Sequence, residues 1–155
     1  MICGEADGTQ ISIFDLHFRV SGSRKARRCS QTTAMLKSPR LSLPNFEVRP
    51  EIFLDKMLGK MLNHQDINFE SHPTFSKMFV LGGDEAELRN LFQPHVLEMF
   101  EGKKGMYLAG AGDTIVMYRH GKCVKPEEIE SVLAEVYGLF GVFAESTVPA
   151  ELVSV

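Results

Sequence analysis

The sequence predicts an α+β domain built on a mainly antiparallel sheet with about three helices. Three observations carry that expectation. Stretches of period-two hydrophobicity are mixed with stretches of helical spacing in no regular strand-helix-strand alternation, so the pattern lacks the crossovers of a parallel sheet. Two hairpin-like strand pairs, near residues 14–36 and 106–119, imply antiparallel neighbours. A length of 155 residues with 44% hydrophobic content suffices for one sizeable core and not for two ordinary domains. The expected organisation is one domain over residues 1–145 and a frayed tail over 146–155.

Phe14, Leu16, Phe18 and Val20 alternate with Asp15, His17 and Arg19, so the apolar set is expected to face the core from a first strand. Ser21-Gly22-Ser23 breaks that strand, and Thr32 and Thr33 favour a second one from about Arg28 to Leu36. The basic run Arg24 to Arg28 then lies at or near the hairpin tip. Pro39 and Pro44 mark an irregular link. Phe46 to Arg49 reads as a short strand, and Pro50 suits the first position of a helix whose apolar face is Leu54, Met57, Leu58, Met61 and Leu62. A polar loop from Asn63 to Pro73 follows. Phe75, Phe79 and Leu81 on one side and Met78 and Val80 on the other predict a central strand, because both faces are apolar.

Beyond Gly82-Gly83, the residues Leu88, Leu91, Phe92, Val96, Met99 and Phe100 keep helical spacing through Pro94, which predicts one kinked helix. Met106 to Ala109 and Thr114 to Arg119 form a hairpin around Gly110-Ala111-Gly112-Asp113. Pro126 opens the last helix, with Ile129, Val132, Leu133, Val136 and Phe140 facing inward. Val48-Arg49-Pro50-Glu51 and Val124-Lys125-Pro126-Glu127 echo each other, which suggests two hairpin-plus-helix halves; proline and glutamate as ordinary helix starters explain the echo equally simply.

Charge separates along the chain. Between Leu16 and Phe46 there is no acid, and Arg19, Arg24, Lys25, Arg27, Arg28, Lys37 and Arg40 give seven positive charges; the rest carries ten basic residues against all twenty acids. Such a split points to an anionic partner for the basic hairpin, whether a membrane surface or an acidic protein. Single-stranded nucleic acid fits less well, because no aromatic residue for base stacking lies between Val20 and Leu36. Cys3, Cys29 and Cys123 are odd in number and lack C-x-x-C spacing, so they read as reduced thiols of a cytoplasmic protein. No apolar run reaches the length of a membrane helix, and the first residues lack the layout of a signal peptide.

The motifs argue against catalysis. Gly82-Gly83-Asp84-Glu85 matches the start of the diguanylate cyclase signature, but the fifth residue is Ala86 and the pattern that follows is helical, where the cyclases need a hairpin. A strand-to-helix turn accounts for the tetrapeptide: the glycines permit the turn, and Asp84, Glu85 and Glu87 complement a helix N-terminus. His64, Asp66, Glu70 and His72 combine imidazole and carboxylate in one loop. That composition suits zinc, and a metal-dependent hydrolase using His64, Asp66 and His72 is the alternative reading, although their spacing matches no helical or strand face. His95 shares an apolar helical face and reads as a packed histidine. No nucleophile elbow or phosphate loop is present, so no catalytic residue and no cofactor is expected.

Taken together, Phe14-Asp15, Gln31-Thr32, Leu43-Pro44-Asn45-Phe46, Arg49-Pro50-Glu51, Asp66-Ile67-Asn68-Phe69, Pro73-Thr74-Phe75-Ser76, Leu81 to Glu85, Leu91-Phe92 and Lys125-Pro126-Glu127 resemble a family of uncharacterised bacterial proteins. The resemblance covers most of the chain. It implies a soluble domain that in relatives often follows one or two N-terminal membrane helices, with no established activity or cofactor. The family usually has a less glycine-rich turn at Gly82-Gly83 and an acid at Asn68, so the departures here speak against both the cyclase and the carboxylate cluster. The expectation is a non-enzymatic cytoplasmic interaction domain that reaches an anionic membrane surface or acidic partner through Arg19, Arg24, Lys25, Arg27 and Arg28. In relatives it would be tethered at the inner membrane.

Overall fold

The computed structural model describes residues 1–22, 25–51 and 67–147. In chain order the elements are β1 (Ile2–Ala6), β2 (Thr9–Val20), β3 (Arg27–Lys37), β4 (Leu43–Pro50), α1 (Pro73–Met78), β5 (Phe79–Gly83), α2 (Glu85–Leu91), α3 (Pro94–Met99), β6 (Met106–Gly112), β7 (Thr114–Arg119), a 3-10 turn (Pro126–Glu128) and α4 (Ile129–Thr147). The strands form one sheet in the order β1-β2-β3-β7-β6-β4-β5, and every neighbouring pair is antiparallel. The chain is therefore an α+β domain with an antiparallel sheet, as the mixed periodicities predict.

Register explains where the core sits. Side chains directly opposite one another share a face, and direct pairing links Ile13, Ala34, Met117, Leu108, Val48 and Leu81 into one row across six strands. All six are buried. The helices among the described residues contribute Phe75, Leu88, Leu91, Val96, Leu97, Val132, Val136, Leu139 and Phe143 to the same core. Its densest part is a set of touching phenylalanine rings. Phe75 contacts Phe69, Phe79, Phe92 and Phe100, while Phe46 and Phe92 both reach Phe143 of α4. Several pairs are edge-to-face, the arrangement that the ring quadrupoles favour.

A second row runs through Ile11, Leu36, Ile115, Gly110, Phe46 and Gly83. Here a glycine in a strand interior has a packing reason. A Cβ on Gly110 would overlap Cε1 of Phe46, whose ring is held by Phe92 and Phe143. Gly110 and Ala111 accordingly belong to β6, and the hairpin turns only at Gly112-Asp113.

Other expectations shift. In β2 the buried apolar residues are Ile11 and Ile13, while Phe14 and Phe18 are half-buried and Leu16 and Val20 are exposed on the opposite face. Pro44 and Pro50 lie inside β4, so Pro50 ends a strand paired with Phe79 and does not open a helix. Pro126, by contrast, does open a turn, so the two Pro-Glu echoes occupy different structures. The helix expected from Leu54 to Leu62 lies outside the described residues. Phe75 to Met78, expected in a strand, belong to a helix that Pro73 opens; only Phe79 to Gly83 is extended, and β5 ends the sheet order instead of lying centrally. Pro94 begins a new helix after a break at Phe92-Gln93, so the kinked helix is two short ones. The last helix runs to Thr147 and buries Val132, Val136 and Phe140, with Leu139, Phe143 and Ala144 added and Ile129 and Leu133 only half-buried.

Because the Phe46 ring cannot move aside, Gly110→Ala should cost about 1–3 kcal/mol, the range for an overpacked core, measured by urea denaturation. Combining it with Phe46→Leu should cost less than the two single changes added together, since they relieve and create the same overlap.

Candidate functional site

The longest hairpin outgrows the sheet that supports it. β2 and β3 pair from Gln10↔Lys37 out to Val20↔Arg27, yet β7 pairs only with Thr33 to Lys37 of β3. Residues 15–20 and 27–31 therefore form an arm that projects past the body. β7 ends because the chain turns away at Gly121, whose φ of +67° suits glycine. The arm is fastened at its base by Thr32. Its backbone N–H donates to the Lys122 carbonyl at 3.0 Å, its hydroxyl donates to Asp15, and the same oxygen accepts from the Val124 N–H at 2.8 Å.

The arm carries Arg19, Lys25, Arg27 and Arg28, all exposed, and none of them makes an ion pair with a described residue. Arg24 of the expected set lies outside the described residues. Arg19 and Arg28 are direct cross-strand partners. Like charges placed opposite each other destabilise a strand pair, so the arm folds at an electrostatic cost that an anion would remove. Leu16 and Val20, 44% and 43% exposed, add apolar surface to the same arm.

Beside it lies a groove of about 620 Å³, bounded by Lys25, Arg27, Arg28 and Ser30 of the arm and by His120 and Cys123 of the turn after β7. His120 reaches the arm through a ring contact with Phe18 at 5.8 Å and stands 6.3 Å from Tyr107, which stacks on Tyr118 at 4.9 Å. These aromatic neighbours come from strands distant in sequence, which is why reading the arm alone missed them.

A second cleft, about 570 Å³, lies between the end of β7 and α4. Three of its charged residues, Lys103, Arg119 and Glu135, are paired with one another. Arg119 Nη2 and Nη1 donate to the two carboxylate oxygens of Glu135 at 2.7 and 2.9 Å, and Lys103 Nζ stands 3.5 Å from Glu135. Burial pushes the Glu135 carboxyl up, but the Arg119 hydrogen bonds and the charges of Arg119 and Lys103 outweigh it and hold the group below its usual range. A bidentate pair of this kind braces α4 on the sheet.

The remaining sequence candidates separate. Asp84 caps α2, its carboxylate accepting from the Glu87 N–H at 3.0 Å, and Glu85 takes the Arg89 guanidinium at 2.7 Å. The Gly82-Gly83-Asp84-Glu85 segment is the end of a strand and the start of a helix. His64 and Asp66 lie outside the described residues; His72 meets Ser71 Oγ at 2.9 Å and stands 3.9 Å from Glu98. His95 is exposed, with Nε2 3.1 Å from Ser146 Oγ, and is not packed on an apolar face. Among the described residues, no three His, Cys, Asp or Glu side chains come together as a metal site, and no helix is long and apolar enough to cross a membrane. Comparisons with protein-family models, curated proteins and solved structures found no match.

Two outcomes follow. The Glu135 contribution to stability is complete above the ordinary carboxylate range and is lost as pH falls through the depressed folded value; Glu135→Gln should cost about 1–3 kcal/mol at neutral pH and flatten the acid side of the stability profile. Asp84→Ala should cost about 1 kcal/mol in thermal or urea unfolding, the worth of an N-cap.

Proposed function

We propose that the protein is a non-enzymatic interaction domain that docks on the anionic face of a membrane through the β2–β3 arm. The observation that carries this reading is the projecting arm itself, with four exposed cations unpaired among the described residues. Cationic side chains near a lipid surface of negative potential contribute about 1 kcal/mol each, and the contribution falls with salt. Leu16 and Val20 favour a lipid surface over an acidic protein face, because they can enter the headgroup region where a polar partner would leave them wet. The resemblance to bacterial proteins whose domain follows membrane helices supports the same surface, and on this reading the protein works on the cytoplasmic side. Lys37 and Arg40 belong less to the arm: Lys37 stands 3.6 Å from Asp113, and Arg40 lies over the Phe140 ring.

Co-sedimentation with vesicles tests the reading. The protein should bind vesicles containing phosphatidylserine and leave neutral phosphatidylcholine vesicles unbound. Changing Arg19, Lys25, Arg27 and Arg28 together to Gln should weaken binding at least a hundredfold, since about 1 kcal/mol per charge is about fivefold each. Equal binding to both vesicle types, or full binding by the quadruple variant, would remove the proposal.

A further inference from the structure

We infer that the groove between the arm and the turn after β7 is a binding site for a phosphomonoester group, which deepens the membrane reading and rests on it. The argument begins with the open edge of β3. In an antiparallel strand the N–H and C=O of alternate residues point to the same side. Thr32 donates its N–H toward Lys122, so Ser30 and Arg28 direct their N–H groups to that same side, where β7 has ended. Both N–H groups therefore face the groove.

Around these donors stand the cations. Lys25, Arg27 and Arg28 line the groove together with Ser30 and His120, and Val20 and Cys29 add apolar surface. Ser30 Oγ is 2.7 Å from His17 Nδ1, which holds the hydroxyl in place on the strand. Among the described residues, no carboxylate lines the groove. Backbone donors flanked by guanidinium groups form the arrangement that takes a multiply charged, oxygen-rich anion, because arginine can meet two oxygens at once. A phosphomonoester offers three terminal oxygens and nearly two charges at neutral pH. A phosphodiester offers fewer of both.

An extended peptide is the less suitable occupant. The free edge spans only residues 27–31 before the Lys122 carbonyl closes it, and arginines on an edge strand oppose strand addition. A volume of about 620 Å³ holds a compact headgroup with room for part of its attached moiety.

The phosphomonoester comes either from a lipid headgroup or from a soluble ester, and one experiment with two arms separates them. The full chain is titrated with vesicles of phosphatidylcholine containing either phosphatidic acid or phosphatidylserine, adjusted to the same surface potential. Phosphatidic acid should bind at least fivefold more tightly. Arg28→Gln should erase that preference, whereas Arg19→Gln, which removes an equal charge outside the groove, should weaken both equally and keep the ratio. In the second arm, glycerol 3-phosphate is added without vesicles and alkylation of Cys123, exposed at the groove, is followed by mass spectrometry. Preference without protection assigns the site to a lipid; saturable protection without preference assigns it to a soluble ester. Neither preference nor protection would overturn the inference while binding to both anionic vesicles still upheld membrane docking. Protection by an oligoglutamate peptide equal to that by glycerol 3-phosphate would overturn it in favour of acidic peptides. Absence of binding to any anionic vesicle would overturn the membrane reading itself.

Discussion

The contact of the Phe46 ring with its neighbours is the constraint on which the rest of the structure depends. That ring lies over Gly110, against Phe92 of the segment after α2 and against Phe143 of α4. One side chain thus decides that β6 has no side chain at its centre, where α4 crosses the sheet, and where the chain between α2 and α3 must pass. Phe75, Phe79 and Phe100 extend the same set of rings toward β5. Close packing of this kind leaves little freedom for volume change, so the β4–β5–β6 end of the molecule is the rigid one.

The other end follows the opposite rule. Past Thr32 the arm has no buried apolar residue: Leu16, Val20 and the four cations are exposed, and Phe18 is only half-covered. Its strands are held by their mutual ladder, by the His17–Ser30 hydrogen bond and by the contact of Phe18 with His120. A chain that concentrates its apolar contacts at one end can present a poorly neutralised, partly apolar hairpin at the other without losing its fold, because the terms that stabilise the body do not pass through the arm. The separation of charge along the sequence is the same arrangement seen in one dimension.

What the sequence could reveal follows from the length scale of each signal. The antiparallel α+β architecture was legible because several strands and the 19-residue α4 are long enough for their periodicities to show. The charge of the arm was legible because it is a matter of counting. The facing of β2 was not, because the apolar positions change parity between Ile13 and Phe14: odd positions face the core until the helices end, and even positions then become apolar where Phe18 meets His120. Helix α1, with six residues, is too short for its period to differ from that of a strand, and Pro73 at its start was its one clear signal. The break before Pro94 was hidden because α2 and α3 both turn their apolar residues to one core and so imitate a continuous helix. The groove was illegible for a different reason: Arg28 and His120 are brought together by tertiary pairing, and nothing local records it.

Thr32 acquires a mechanical meaning from its position. Among the described residues it is the last of β3 hydrogen-bonded to anything other than β2, through Lys122 and Val124 on the segment that leads into the 3-10 turn and α4. From Thr32 to Arg27 the strand spans about 17 Å at roughly 3.3 Å per residue, so a rotation of about ten degrees at this fulcrum carries the tip roughly 3 Å at that strand length. The hairpin is a lever whose short side is the 122–124 segment. A load on the tip is therefore delivered as torque to the beginning of α4, the helix whose far end reaches Phe46 and Phe92 through Phe143.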